Sequence, residues 1–348
     1  MKQNNFIKII TLLLLLSCGI TMAQSVNLWR GTEVKANWSD AYKWRLRHVP
    51  SKKEAVHFRQ PNSVVVIDRT IDLNNNMMLY GQELSFLGNG NINFWSPVET
   101  LSTIYIPASA SGYANLTLHD TVSIKGGVAL AAKAFGTAAS KGTITLRDRS
   151  TIKGKLLIGN DGNGTGQVFV YDQAVYTISD LDLQTEAEKG GSAELHILGG
   201  TVHFSTGTNP LQIFLGDSSR KIIIGEGGAL NIQSSASVEK KKKLLIQMLK
   251  NKTLRVMPNC KFRLPVFQGS MILLKAERSD SPEQLHVLVE KIKNIQAITE
   301  VPETGLESAN NSAKGGLNTG IFASYIAFSG ILLLLLRPVT RRVPARSQ

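Results

Sequence analysis

Six histidines, a set of regularly placed aspartates and a group of aromatic residues are the side chains whose types and spacing could carry chemistry. The histidines are His48, His57, His119, His196, His203 and His286, and no two stand in a His-Glu-x-x-His or similar ligand spacing, so no metal centre is expected. His119 and His196 fall at equivalent outward positions of different repeats, which predicts a ladder on one face. Asp120, Asp148 and Asp172 recur at one turn position and can form a row of carboxylates. Such a row suits the calcium binding of a polysaccharide lyase, in which a separate basic residue abstracts the proton. Asp in a tight turn also hydrogen-bonds its own backbone, and that is the simpler expectation. Gly159 to Gly164 and Gly225 to Gly228 resemble calcium and phosphate loops, but they lack the strand–helix context and the Lys-Ser/Thr pair, and read as turns. Trp29, Trp38, Tyr42 and Trp44 are candidate glycan contacts; burial as a plug is the alternative. No catalytic set, cofactor site or metal set assembles from these residues, and the chain is read as a non-enzyme.

Those positions are set by internal repeats. Leu116-Thr117-Leu118-His119-Asp120 through Ile124-Lys125-Gly126 aligns with Ile144-Thr145-Leu146-Arg147-Asp148 through Ile152-Lys153-Gly154. Further copies start at Val168, Leu195 and Ile222, weaker ones at Val64 and Leu84, and a last one at Leu254. Each copy alternates apolar and polar residues, turns at Asp or Gly, and alternates again. A third apolar segment follows at Val128 to Leu130, Leu156 to Ile158, Leu181 to Leu183 and Ile213 to Leu215. Three strands per copy predict an all-β fold, a right-handed parallel β-helix of about seven to eight rungs spanning residues 63–300; a β-sandwich is the alternative. Residues 24–62, with three of the four tryptophans, read as its N-terminal cap. Val238 to Leu254, with Lys240 to Lys243 followed by Leu244 to Leu249, reads as a short helix interrupting the solenoid, its lysines forming a solvated face; contact with an anionic glycan or lipid is the alternative. Gln284 to Ile298 has the apolar spacing of a helix capping the C-terminal end.

The two ends read as addresses. Residues 1–23 combine Lys2 and Lys8, an apolar run from Ile9 to Leu16 and a small-x-small site at Ala23, the pattern of a secretory signal peptide. Leu15-Leu16-Ser17-Cys18 also matches a lipobox, which would make Cys18 a lipidated N-terminus. Without it Cys260 is the lone cysteine of the mature chain and is expected as a buried thiol. Residues 301–319 form a linker headed by Val301-Pro302-Glu303-Thr304-Gly305, residues 320–336 an apolar transmembrane helix, and residues 337–348 a basic cytoplasmic tail with Arg337, Arg341 and Arg342.

The C-terminal tripartite pattern resembles PEP-CTERM-type sorting signals, and Val-Pro-Glu-Thr-Gly also resembles a sortase box. The resemblance implies a sorting protease such as an exosortase as partner. Trp29-x-Gly31, Asn37-Trp38-Ser39-Asp40-Ala41, Trp44, Pro50 and Val56-x-Phe58 resemble the opening of bacterial autotransporter-associated β-strand-repeat proteins, with Lys43 where that family has Asn. That resemblance implies an extracellular β-helix and supplies no catalytic residues.

Composition agrees with this address. The net charge is +13, but six basic residues flank the two apolar ends, leaving +7 elsewhere, so no nucleic-acid partner is expected. The expected molecule is an exported cell-envelope or cell-surface protein, anchored in the membrane by one C-terminal span. Its role would be structural, adhesive or matrix-binding, with a polysaccharide or extracellular-matrix ligand; a carbohydrate-active β-helix enzyme is the alternative.

Overall fold

The computed structural model describes residues 25–31, 35–80, 83–95, 103–107, 112–131, 140–205, 210–281 and 284–295. The expected signal peptide with Cys18, the linker, the transmembrane helix and the basic tail lie outside the described residues.

The chain winds through three parallel ladders in a β-solenoid of about seven turns. The first ladder stacks nine strands, from Ala36–Asn37 through Ser63–Ile67, Glu83–Gly88, Gly112–Leu118, Ser140–Leu146, Thr165–Tyr171, Ser192–Leu198 and Arg220–Ile224 to Leu254–Val256. The second runs from Thr70–Leu73 through Asn91–Phe94 and Ser123–Lys125 into the leading halves of Thr151–Gly162 and Val175–Thr185, then Thr201–Phe204 and Ala229–Gln233. The third runs from Val26–Trp29 through Ala55–Phe58, Met77–Leu79, Thr103–Ile106 and Gly127–Leu130 into the trailing halves of the same two long strands. Parallel pairing throughout these ladders sets the fold apart from a sandwich of antiparallel sheets.

Period-two alternation produces this arrangement, because it sends every second side chain inward. Leu84, Leu116, Ile144, Val168, Leu195, Ile222 and Leu254 are successive partners in one column, as the repeat starts imply. All seven are buried, and each contributes about 1.5–3 kcal/mol by leaving water. The upstream start differs by one residue: Ser63, not Val64, pairs with Leu84. Three consecutive valines hide the alternation there, and Ser63 tolerates the interior by donating its hydroxyl to the Gly31 carbonyl at 3.2 Å. At the corner between the second and third ladders, a Cβ on Gly154 would lie 1.9 Å from the Gly126 carbonyl oxygen, so only glycine fits.

The third ladder stops after residues 181–183. Ile213 to Leu215, expected as its next strand, instead ends the helix Pro210–Leu215, whose Leu211 and Phe214 are buried. Their i, i+3 spacing and the proline at the first position favour a helical turn. Helix Val238–Lys250 then occupies the third place of the seventh turn in chain order, opened by Ser237 accepting from the Lys240 N–H at 3.4 Å.

The expected solvated lysine face is only half right. Lys240 and Lys243 are exposed, but Lys241 and Lys242 are buried. Lys241 runs its stem inward and donates from Nζ to the Gly269 carbonyl at 3.0 Å. Lys242 reaches Glu239 at 2.8 Å and the Lys293 carbonyl at 3.3 Å, covering an orphan acceptor at the end of helix Leu285–Lys293. That helix caps the end as expected, burying Leu288, Val289 and Ile292. Met271–Arg278 runs antiparallel along Ala229–Gln233 and pairs with Cys260–Phe262 and Val266–Gln268, so the edge of the second ladder is covered. Cys260 is buried, as expected.

At the other end the cap is built from the same ladders, since Ala55–Phe58 pairs with both Val26–Trp29 and Met77–Leu79. Inside it Trp29 and Trp44 meet edge to face at 4.9 Å, Trp38 and Trp44 at 4.8 Å, and Phe58 contacts all three. Asn27, fully buried, donates to the His48 carbonyl at 3.0 Å and accepts from the Leu46 N–H at 3.3 Å, closing the loop over them.

Candidate functional site

The best-defined constellation lies on the outward side of the first ladder. Gln167, Glu194 and Lys221 are successive partners and form one column; Phe169 and His196 form the next, two residues further along the same strands. Gln167 Nε2 donates to Glu194 Oε2 at 2.9 Å, His196 Nε2 lies 3.1 Å from the same oxygen, and Lys221 Nζ lies 3.7 Å from Oε1. The His196 hydrogen bond, then that of Gln167 and the charges of His196 and Lys221, lower the Glu194 pKa to about 2 against the opposing effect of burial. Glu194 is therefore a fixed anion at every physiological pH. With a carboxylate as acceptor, the His196 proton belongs on Nε2.

A ring ladder flanks this cluster. Phe169 stacks on His196 at 4.5 Å and 21°, Tyr171 lies parallel to Phe169 at 6.2 Å, and the Arg147 guanidinium covers Tyr171 at 4.5 Å. The rings spend faces on one another, so what solvent meets is largely ring edges, a guanidinium, an amide, a carboxylate and an ammonium. Repeating at the turn spacing of about 4.8 Å, these groups suit hydrogen bonding to an extended polar polymer better than stacking on one sugar ring.

The expected His119–His196 ladder does not form. His196 pairs in register with Phe169, and His119 follows Leu118 at a position two residues further on; His119 instead faces Asp148 at 3.7 Å. His57 is buried and its pKa falls to about 4, through desolvation first and Arg59 second. Burial also lowers His203, whose Nδ1 lies 2.9 Å from Asn231 Nδ2. His48 lies 3.4 Å from Glu54, and His286 is exposed. Among the described residues, no three His, Cys, Asp or Glu side chains are placed to hold a metal ion.

The carboxylate row exists, but its work differs from the expected self-capping. Asp120, Asp148 and Asp172 sit at φ of 56°, 57° and 55°, in line with Gly88 and Gly199. Each carboxylate accepts from the preceding turn: Asp120 from the Gly88 N–H at 2.8 Å, Asp148 from Asp120 at 2.8 Å and Asp172 from Asp148 at 3.1 Å. The row is a clamp between turns. An open groove of about 510 Å³ runs beside it, lined by Asn89, Thr121 and Arg149 among others. Gly227 holds the expected turn at φ of 72°, whereas Gly159, at φ of 79°, lies not in a turn but inside strand Thr151–Gly162, where its register against Val175–Thr185 shifts.

Of the four candidate glycan contacts, Trp29, Trp38 and Trp44 are fully buried and cannot meet a sugar; Tyr42 alone is exposed. A solenoid end has no further turn to fill its interior, and indole volume does so. Val301, Pro302, Glu303, Thr304, Gly305, Arg337, Arg341 and Arg342 lie outside the described residues. Gln167, Phe169, Glu194 and Lys221 escaped the sequence reading, although the starts at 168, 195 and 222 already align 167, 194 and 221. No protein-family model, curated protein or solved structure matches the chain.

Proposed function

We propose that the chain is an exported cell-surface β-solenoid with a structural, adhesive or matrix-binding role, whose outward columns meet a polysaccharide or matrix polymer. The carrying observation is the register: Gln167, Glu194 and Lys221 stand on three successive turns, and Glu194 is held ionised between its neighbours. A rigid stack presents such groups at fixed spacing, so a polymer lying along it gains many weak bonds at little further ordering cost. The signal-peptide pattern of residues 1–23, the apolar segment 320–336 and the Val301–Gly305 motif support export, membrane attachment and handling by a sorting protease.

The test is made in native cells carrying an epitope at residues 206–209 of the full chain. A membrane-impermeant reagent is expected to label the epitope on intact cells, and purely cytoplasmic recovery would refute the proposal. Mass spectrometry of the C-terminus separates its two forms: an end near Thr304 indicates sorting, and an intact Gln348 in the membrane fraction a permanent span.

A second reading, a carbohydrate-active enzyme, draws on the His196–Glu194 pair, since a carboxylate orienting an imidazole is an acid–base arrangement. It requires new reducing ends or unsaturated uronates from a polysaccharide panel, lost in His196→Ala and in Glu194→Gln. Binding without product in every case retains the first reading.

A further inference from the structure

The charge of the chain is unevenly placed along its sequence. Residues 238–293 hold 13 Lys and Arg against 5 Asp and Glu, a net +8, whereas residues 63–237 hold 11 against 15, a net −4. Helix Val238–Lys250 turns Lys240, Lys243 and Lys250 to solvent along one stripe. None of these three has an acidic partner among the described residues, unlike Lys242 with Glu239 at 2.8 Å or Lys261 with Glu277 at 3.4 Å.

Apolar side chains share this cap. Met257, Leu264, Val266, Leu285 and Val287 make up half of the exposed large hydrophobic residues among those described. Leu264, Val287, Lys291 and Ile295 help line an open groove of about 530 Å³ beside helix Leu285–Lys293. Unpaired cations and exposed aliphatic groups in one cap are the composition of a surface that rests in a bilayer interface.

Connectivity selects the bilayer as occupant. Only 24 residues, 296–319, separate this cap from the apolar segment 320–336. Such a length spans at most about 80 Å in any conformation, so an anchored chain keeps the cap at high local concentration beside the headgroups. The N-terminal cap is also basic, with 8 Lys and Arg against 3 Asp and Glu over residues 25–62, but the stack of turns stands between it and that tether.

We infer that the C-terminal cap docks on an anionic membrane surface, with Lys240, Lys243 and Lys250 meeting lipid headgroups and Leu264 and Val287 entering the interfacial layer. The inference rests on the anchoring proposed above, and the test separates the two.

Full-length protein carrying Val287→Cys with a fluorophore is reconstituted into phosphatidylcholine vesicles with or without phosphatidylglycerol, with unsubstituted protein correcting for label at Cys18 and Cys260. Energy transfer to a headgroup acceptor is expected to rise several-fold with phosphatidylglycerol and to fall back in high salt. A lysine near an anionic surface weighs about fivefold in the equilibrium, so K240E/K243E/K250E should weaken docking by about two orders of magnitude or more, while K240R/K243R/K250R restores it. Transfer that ignores phosphatidylglycerol, or that survives the glutamate triple variant, overturns the inference. So does a soluble acidic polysaccharide that binds the cap at physiological salt while anionic vesicles leave residue 287 undocked. Protein that leaves the vesicles on alkaline washing defeats the anchor; protein that stays with a flat signal from residue 287 defeats docking alone.

Discussion

At the N-terminal end the stack is closed from within: Trp29, Trp38 and Trp44 occupy the space that a further turn would have filled, and the strands around them stay in the ladders of the shaft. At the C-terminal end it is closed from outside, by Met271–Arg278 reversing direction along Ala229–Gln233 and by two helices, the first of which carries two of its lysines inward. The first solution supplies volume and leaves polar atoms wanting, since the Nε1 groups of Trp29 and Trp38 have no hydrogen-bond partner among the described residues. The second supplies hydrogen bonds, with Lys241 on the Gly269 carbonyl and Lys242 on the Lys293 carbonyl. Terminating a solenoid thus poses two problems, empty interior and unpaired edges, and the two ends each solve a different one first.

The largest expected effect breaks the first solution. Trp44 touches both other indoles and donates from Nε1 to the Trp38 carbonyl at 2.9 Å. Trp44→Ala should cost about 3–5 kcal/mol, against about 2–4 kcal/mol for Leu288→Ala in the other cap, both read from chemical denaturation. Hydrogen exchange should show the first variant loosening turns near Phe58 and the second loosening only the helix pair; identical exchange patterns would erase the distinction.

Acid should find the N-terminal end next. His57 has its pKa lowered from 6.5 to about 4, so the native state binds fewer protons than the unfolded state between those values. Stability should therefore fall as pH drops from 6.5 toward 4, by up to about 3 kcal/mol, and level off below. His57→Gln should abolish that segment of the pH–stability curve.

A smaller change tests whether the shaft between the ends is indifferent to both. Asp148→Ala removes the acceptor of the Asp120 N–H and places alanine at positive φ, at a cost of about 1–3 kcal/mol. Asp148→Gly should cost about 1 kcal/mol less, because glycine already holds the equivalent places at Gly88 and Gly199. Thermal unfolding of the two variants decides it.

The smallest effect belongs to the C-terminal end. Burial lowers the Lys241 pKa from 10.5, so the folded state sheds its proton first and stability should climb as pH rises through the window just below that value. Lys241→Met should stay within about 1 kcal/mol of the parent at neutral pH and lose the alkaline climb.

The ladders were legible because inward positions in a parallel stack obey one rule, and residues such as Leu116 and Ile144 declare it by alternation alone. The cap was legible as a place, through Trp29, Trp38 and Trp44, but their exposure was not, since an indole is chemically suited to a sugar and to a core alike. Misreadings arose where length or side-chain stems overrode type. Ile213 to Leu215 repeat the apolar spelling of a strand yet follow Pro210 in a longer connection that allows a helical turn. Lys241 reads as solvated from its charge, yet its stem packs inward and its Nζ is taken by the Gly269 carbonyl. The Glu194 cluster was hidden for another reason: its members lie 27 residues apart, and their meeting depends on register rather than on any local motif.

The like charge of the two caps, +5 and +8 around a shaft of −4, has a colloidal consequence. Stacks of parallel strands invite end-to-end growth into fibres, because each terminal turn resembles the surface that its neighbour would offer. Here any collinear encounter, head to head, tail to tail or head to tail, brings cation against cation. Repulsion within a Debye length of about 8 Å opposes the last approach, so crowding favours separate molecules over filaments, and concentrated salt is the condition under which that protection weakens.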